Sequence, residues 1–354
     1  MDLKEKIYKA LEKVQDPELK RSLVELGMVE EVEAEGGSAR IKIALTTKGC
    51  PLKNKIKADV ERAVSEIEGI KEVEVVLGEM SPEKKKKMLF NLDMEKLVQV
   101  FKNTNVVLVG SGKGGVGKST LTANLAFAAG RLGYNVGILD ADFYGFSIPR
   151  LVGLEGRRVQ GRNNKMIPLE RNGVKVISVG SFIDSEDRPI IWRGPVIGGV
   201  LKQFILEVDW GNLDYLFVDL PPGTGDAPLS VMNMLPNSYL LVITTPQASA
   251  SHVAGRIGFM AKEVNVEILG IVENMSYFTC PNCGKEYKIF GEGETEEMAK
   301  SLNAPILGRI PLVPEIREKS DEGNPVTLMG GPGQDVLNEI TKTIIQRIEE
   351  LKRK

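Results

Sequence analysis

The feature that most constrains this chain is Gly112-Lys113-Gly114-Gly115-Val116-Gly117-Lys118-Ser119, an instance of the pattern G-x-x-x-x-G-K-S/T. It follows the apolar run 106–109 and precedes a helical pattern over 120–129. That strand, loop and helix order is the context in which the pattern carries meaning. Glycines let backbone wrap closely around phosphate oxygens, and a helix N-terminus offers free N–H groups and the positive end of its dipole. Lys118 would neutralise the outer phosphates, and the Ser119 hydroxyl, followed by Thr120, would ligate Mg2+. Residues 112–120 therefore read as a site for ATP with Mg2+.

The rest of the chain is organised around that loop. From residue 105 onward, apolar runs at 106–109, 136–139, 174–179, 215–218, 239–243, 268–272 and 306–310 alternate with helical stretches. Runs that are apolar on both faces belong to strands covered by helices on both sides. The expected fold is a doubly wound, mostly parallel α/β sheet of the P-loop NTPase class. Ligands in such sheets collect beyond the carboxyl ends of the strands. Residues 1–79 read as a small α+β domain. It comprises a helix over 2–14, strands over 27–34 and 39–45 separated by Glu35-Gly36-Gly37, a helix after Pro51 and a strand over 73–77. The glycine pair is a hairpin signal. Residues 80–103, polar and lysine-rich before a short helical stretch, read as the linker to a P-loop domain over 104–354.

Two further strand ends carry acids. The run 136–139 leads into Asp140-Ala141-Asp142, and the run 215–218 leads into Asp219, which opens Asp219-Leu220-Pro221-Pro222-Gly223-Thr224-Gly225-Asp226. Asp219 resembles the Walker B carboxylate that holds Mg2+ through water, and Gly223 is placed to bond a γ-phosphate as a switch. Asp142 resembles the switch I aspartate that positions or deprotonates the attacking water. A helix cap is the competing role for a strand-end aspartate.

Bulk charge argues against several partners. A net charge of -2 over 354 residues gives no footprint for nucleic acid. The run Lys84 to Lys87 lacks interleaved aromatics and reads as a solvated face. The first residues alternate charged and apolar side chains, unlike a secretory signal. No stretch reaches the roughly 18 apolar residues that span a bilayer. A cytoplasmic protein without stable membrane association is expected.

Three cysteines cannot form a disulfide framework. Cys280-Pro281-Asn282-Cys283-Gly284 instead offers two thiolates two residues apart, able to point at one metal or cluster. Spacing leaves zinc and iron-sulfur both open. Four ligands are needed, and the chain adds only Cys50, far away in sequence, and one histidine, His252. A two-fold symmetric homodimer would supply the missing pair.

The loop's second lysine, Lys113, resembles the deviant Walker A signature of the MinD, ParA and nitrogenase iron protein group. In that group the extra lysine reaches the nucleotide of a partner subunit. Residues 105–330 more closely resemble the Mrp/ApbC family of iron-sulfur cluster carrier ATPases. The matching segments are GKGGVGKST, LDADFYG, WRGP at Trp192 to Pro195, DLPPGTGD, TTPQ at Thr244 to Gln247, ENMSYFTCPNCG and LGRIPL. The resemblance implies a homodimer that bridges a labile 4Fe-4S cluster with Cys280 and Cys283 from each subunit. It implies slow ATP hydrolysis controlling transfer from scaffold proteins to apo iron-sulfur proteins, Lys113 acting in trans, and Asn274 meeting the adenine edge. Two departures from the family are the run Ala248-Ser249-Ala250-Ser251-His252, where an acidic residue is usual, and the diluted glycine run after Phe290.

The first domain resembles the SufT-like assembly factors through Asp16-Pro17-Glu18 and Thr46-Thr47-Lys48-Gly49-Cys50-Pro51. Pro51 suits the first turn of a helix, whose dipole would lower the Cys50 pKa. A reactive or ligating thiol competes there with a small buried cysteine. Two other functions compete with the carrier. One is a positioning ATPase of the MinD or ParA type, acting on membrane or DNA, supported by the apolar stripe Val336, Leu337, Ile340, Ile344, Ile348 and Leu351. The other is an ATP-driven reductase, which two adjacent cysteines fit less well.

Overall fold

The computed structural model describes residues 2–47, 49–182, 194–235 and 237–353, with backbone alone at 194–195 and 248–254. Trp192 and Arg193 of the WRGP segment lie outside the described residues, as does the His252 side chain. The chain divides into two compact units, Met1–Glu95 and Lys96–Lys354.

In the first unit, α1 (Leu3–Leu11) precedes the antiparallel pair β1 (Val29–Glu35) and β2 (Ser38–Leu45). Gly36 and Gly37 both have positive φ, +60° and +88°, the two-residue turn whose twist matches that of a hairpin. Helix α2 (Lys53–Ser65) then crosses over to β3 (Glu72–Glu79), which pairs parallel with β2. Spacing fixes the buried face: Ile7 and Leu11 of α1, and Ile56, Val60 and Val64 of α2, recur every four residues and pack on Ala39, Ile41 and Ile43. The segment read as a linker is one helix, α3 (Pro82–Val100), and the division between the units falls within it.

The second unit is an eight-stranded sheet. Its strands are β4 (Asn105–Gly110), β5 (Val136–Asp140), β8 (Leu169–Arg171), β9 (Val174–Ser178), β10 (Tyr215–Asp219), β11 (Tyr239–Thr244), β12 (Glu267–Glu273) and β15 (Ile306–Arg309). The order is β15-β12-β11-β4-β10-β5-β9-β8, parallel throughout except for β8, which runs antiparallel to β9. Two small hairpins lie outside it, β6 (Gln160–Arg162) with β7 (Lys165–Ile167), and β13 (Phe278–Thr279) with β14 (Glu286–Tyr287). Every residue of β4, β5 and β10 is buried. The covering helices are α4 (Lys118–Arg131), α5 (Ile148–Leu151), α6 (Gly194–Leu206), α7 (Asp226–Met234), α8 (Ala248–Glu263), α9 (Glu294–Leu302), α10 (Pro314–Asp321), α11 (Val326–Met329) and α12 (Gln334–Lys352).

All seven apolar runs are strands of this sheet. The runs 174–179 and 306–310 each end one residue early: Val179 begins a 3-10 turn, Val179–Phe182, and β15 stops at Arg309. Strand β4 sits between β10 and β11, so the chain leaves it toward β5 on one side and later returns to the other. That reversal opens the crevice used for ligands in such sheets. The stripe on α12 is core: Leu337, Ile340, Ile344 and Ile348 join the cluster containing Leu121 and Leu125 of α4. Among the described residues no helix is long and apolar enough to cross a membrane.

Candidate functional site

The phosphate loop sits on the carboxyl end of β4. Gly115 and Gly117 adopt φ of +81° and +87°, a region costly for side chains. Gly117 is the N-cap of α4, so the first N–H groups of that helix face the loop. A Cβ on Gly117 would come within 2.4 Å of Asn274 Nδ2. Asn274 Nδ2 donates to Val116 O at 2.9 Å, tying the end of β12 to the loop. This amide is therefore directed at the loop backbone, a partner the resemblance to adenine-binding residues did not suggest. The Gly223 N–H donates to Ser111 O at 3.0 Å, which places the segment after β10 beside the start of the loop. Lys113 Nζ donates to Gln247 Oε1 at 3.3 Å.

Asp219 is the hub of the site. Lys118 Nζ meets its Oδ1 at 2.8 Å, with both side chains buried. The Ser119 hydroxyl donates to Oδ2 at 2.6 Å, and the Thr122 hydroxyl donates to Oδ1 at 2.9 Å. Thr122 was not singled out from sequence, although its position one turn after Lys118 puts it on the same helix face. Buried charges of this kind persist when paired and hydrogen-bonded. Strand pairing explains the convergence, because Asp219 is in register with both Asp140 of β5 and Val109 of β4.

Asp140 was passed over as a site residue, yet it is fully enclosed. The Ser178 hydroxyl donates to it at 3.0 Å and the Asp142 N–H at 3.2 Å. Burial, reinforced by the charge of Asp219, pushes its carboxyl up to about 8. Asp142 accepts from the Gly145 N–H at 3.1 Å, and burial raises its pKa while Lys118 opposes the rise. Asp142 thus organises the loop after β5 and lies in the field of Lys118.

The cysteine pair forms its own small structure. Strands β13 and β14 close a hairpin in which the Cys280 N–H donates to Lys285 O and the Gly284 N–H donates to Cys280 O, both at 2.9 Å. Gly284 takes φ +69° to complete the turn. The Asn282 and Cys283 N–H groups point at the Cys280 sulfur and hold its thiol below the usual range, because they stabilise the thiolate. Cys283 is exposed and Cys280 half-buried. Among the described residues no three His, Cys, Asp or Glu side chains gather as a metal site. Cys50 lies in the other unit, half-buried against its core. Helix α2 begins at Lys53, so Pro51 is not in its first turn. Instead the Lys53 N–H closes a turn onto Cys50 O at 3.3 Å, with Pro51 supplying the fixed φ of the second position.

A family model described as NUBPL iron-transfer P-loop NTPase, in the ParA group, matches residues 102–349. The chain belongs to this family. A second model, iron-sulfur cluster assembly protein, matches residues 4–76. Among relatives of this iron-transfer NTPase is an iron-sulfur cluster carrier protein of Synechocystis, 42% identical over 91% of this chain and 90% of its own length. Another, from Bacillus subtilis, is 38% identical over 96% of this chain and 97% of its own. A nucleotide-binding protein of Archaeoglobus fulgidus, solved with ADP, superposes with a TM-score of 0.59 at 39% identity, covering 68% of this chain and 95% of that one. The cell division protein MinD of Aquifex aeolicus shares the fold of the second unit at 22% identity and a TM-score of 0.52, covering 69% of this chain and 97% of its own.

Proposed function

We propose that this iron-transfer NTPase is an iron-sulfur cluster carrier in which two copies hold one 4Fe-4S cluster between Cys280 and Cys283 of each. ATP binding and hydrolysis control its passage from scaffold proteins to apo iron-sulfur proteins in the cytoplasm. The observation that carries this reading is the cysteine turn. Two sulfurs, one with its thiolate already stabilised by backbone N–H groups, stand on a hairpin in the same unit as a complete phosphate loop. One chain offers half a ligand set there, and two-fold symmetry supplies the rest.

The nucleotide site supports ATP hydrolysis, which the reading takes to be slow. Loop N–H groups and Lys118 bind the phosphates, and Lys113 adds a positive charge toward the partner's nucleotide. The neighbouring Ser119 hydroxyl and Asp219 carboxylate, 2.6 Å apart, suit Mg2+, which when bound neutralises phosphate charge. Asp142 orients the attacking water and takes its proton, and the rise in pKa that burial gives its carboxyl makes it a stronger base for that task. A positioning ATPase is not favoured, because the α12 stripe that would lie on a membrane is packed in the core.

The test is anaerobic reconstitution with iron and sulfide of the full chain and of Cys283→Ala. A brown wild type beside a colourless variant is expected. Equal absorbance in both would overturn the assignment of the pair.

A further inference from the structure

Cys280 follows Asn274 by only six positions, and hydrogen bonds fasten this short stretch along its length. At its start, Asn274 Nδ2 donates to Val116 O at 2.9 Å and the Asn274 N–H donates to Thr244 O at 2.8 Å. Next, the Ser276 N–H donates to Ile310 O at 2.8 Å, and Tyr277 O accepts from the Leu312 N–H at 2.6 Å. The Ser276 hydroxyl donates to Glu273, whose carboxylate also meets Arg309 at 3.3 Å. At the far end, β13 pairs with β14 through Phe278 and Thr279, and the Cys280 N–H donates to Lys285 O at 2.9 Å. Met275 holds φ +56°, a sparsely populated region for a residue with a side chain. A segment held this way has little slack to absorb a displacement at Asn274.

The loop side of the contact is built to move. The carbonyl of Val116 and the N–H of Gly117 belong to one rigid peptide plane. That plane turns about ψ of Val116 and φ of Gly117, and Gly117, left-handed and without a Cβ, gives on its side of the hinge. Phosphate binding turns loop N–H groups toward the ligand. Re-aiming the Gly117 N–H therefore swings the carbonyl that Asn274 grips.

We propose that Asn274 is a positioning residue that couples the phosphate loop to the cysteine turn, so that nucleotide occupancy changes how Cys280 and Cys283 are presented. The purpose of the coupling rests on the carrier reading, but its test needs no cluster. In the cluster-free full chain, iodoacetamide alkylation of Cys280 and Cys283 is followed by mass spectrometry with and without saturating MgATP. The wild-type rate should change about fivefold on adding nucleotide, at the low end of ordinary coupling between sites. Asn274→Ala, and the isosteric Asn274→Asp that replaces the donor with a carboxylate oxygen, should show no such change at their own saturating MgATP.

A wild type without a nucleotide response, or variants that keep the full response, would overturn the proposal. If both variants fail to fold, Met275→Gly serves instead. It loosens the constrained joint and should shrink the response, and a full response there overturns the coupling. A wild type that responds to ATP but binds no cluster refutes the carrier reading alone. A wild type that binds a cluster without an ATP response in its thiols refutes the coupling alone.

Discussion

Asp140 shows how much a single enclosed side chain sets the character of the nucleotide site. Its carboxyl receives the Ser178 hydroxyl and the Asp142 N–H, and its pKa of about 8 reflects burial first and the charge of Asp219 second. A neutral acid there braces Asp142 without adding negative charge where phosphates bind. In the unfolded chain the same group titrates near ~4. The folded state therefore holds an extra proton between the two values. The stability this group contributes is complete below the lower value and is lost as pH rises through the upper one. Asp140→Asn keeps the shape and stays neutral, so its melting temperature should gain on the wild type as pH rises from about 4 to about 8. Parallel melting curves across that range would show that Asp140 is ionised in the native protein.

At the scale of elements, what could be read from sequence was what is local. The central strands are apolar on both faces, and the phosphate loop lies wholly within a few consecutive residues, so both were legible. Strand β8 was not, because Leu169-Glu170-Arg171 is too short and too polar to show a period. The stripe on α12 was visible but ambiguous, since one apolar face serves equally for a sheet or a lipid surface. Packing decides it, with Ile344 fully buried. Ile344→Ala should therefore cost about 2 to 5 kcal/mol in urea unfolding, as core truncations do. A loss near zero would place the helix off the core. The contacts of Asn274 with Val116 and of Lys113 with Gln247 join residues 158 and 134 positions apart, and no local pattern announces them.

At the scale of the whole molecule, the account depends on ligand number. Each chain presents one cysteine turn in its second unit, and a 4Fe-4S cluster takes four thiolates. In the proposed dimer, Lys113 at the start of the loop would offer its charge to the neighbouring subunit's nucleotide. In the proposed carrier, both features are halves that a second copy would complete. Native mass spectrometry of the anaerobically reconstituted full chain measures this directly. The account predicts a species of two chains carrying one 4Fe-4S cluster, absent from Cys283→Ala; a cluster retained on a single chain, or dimers free of iron, would contradict it.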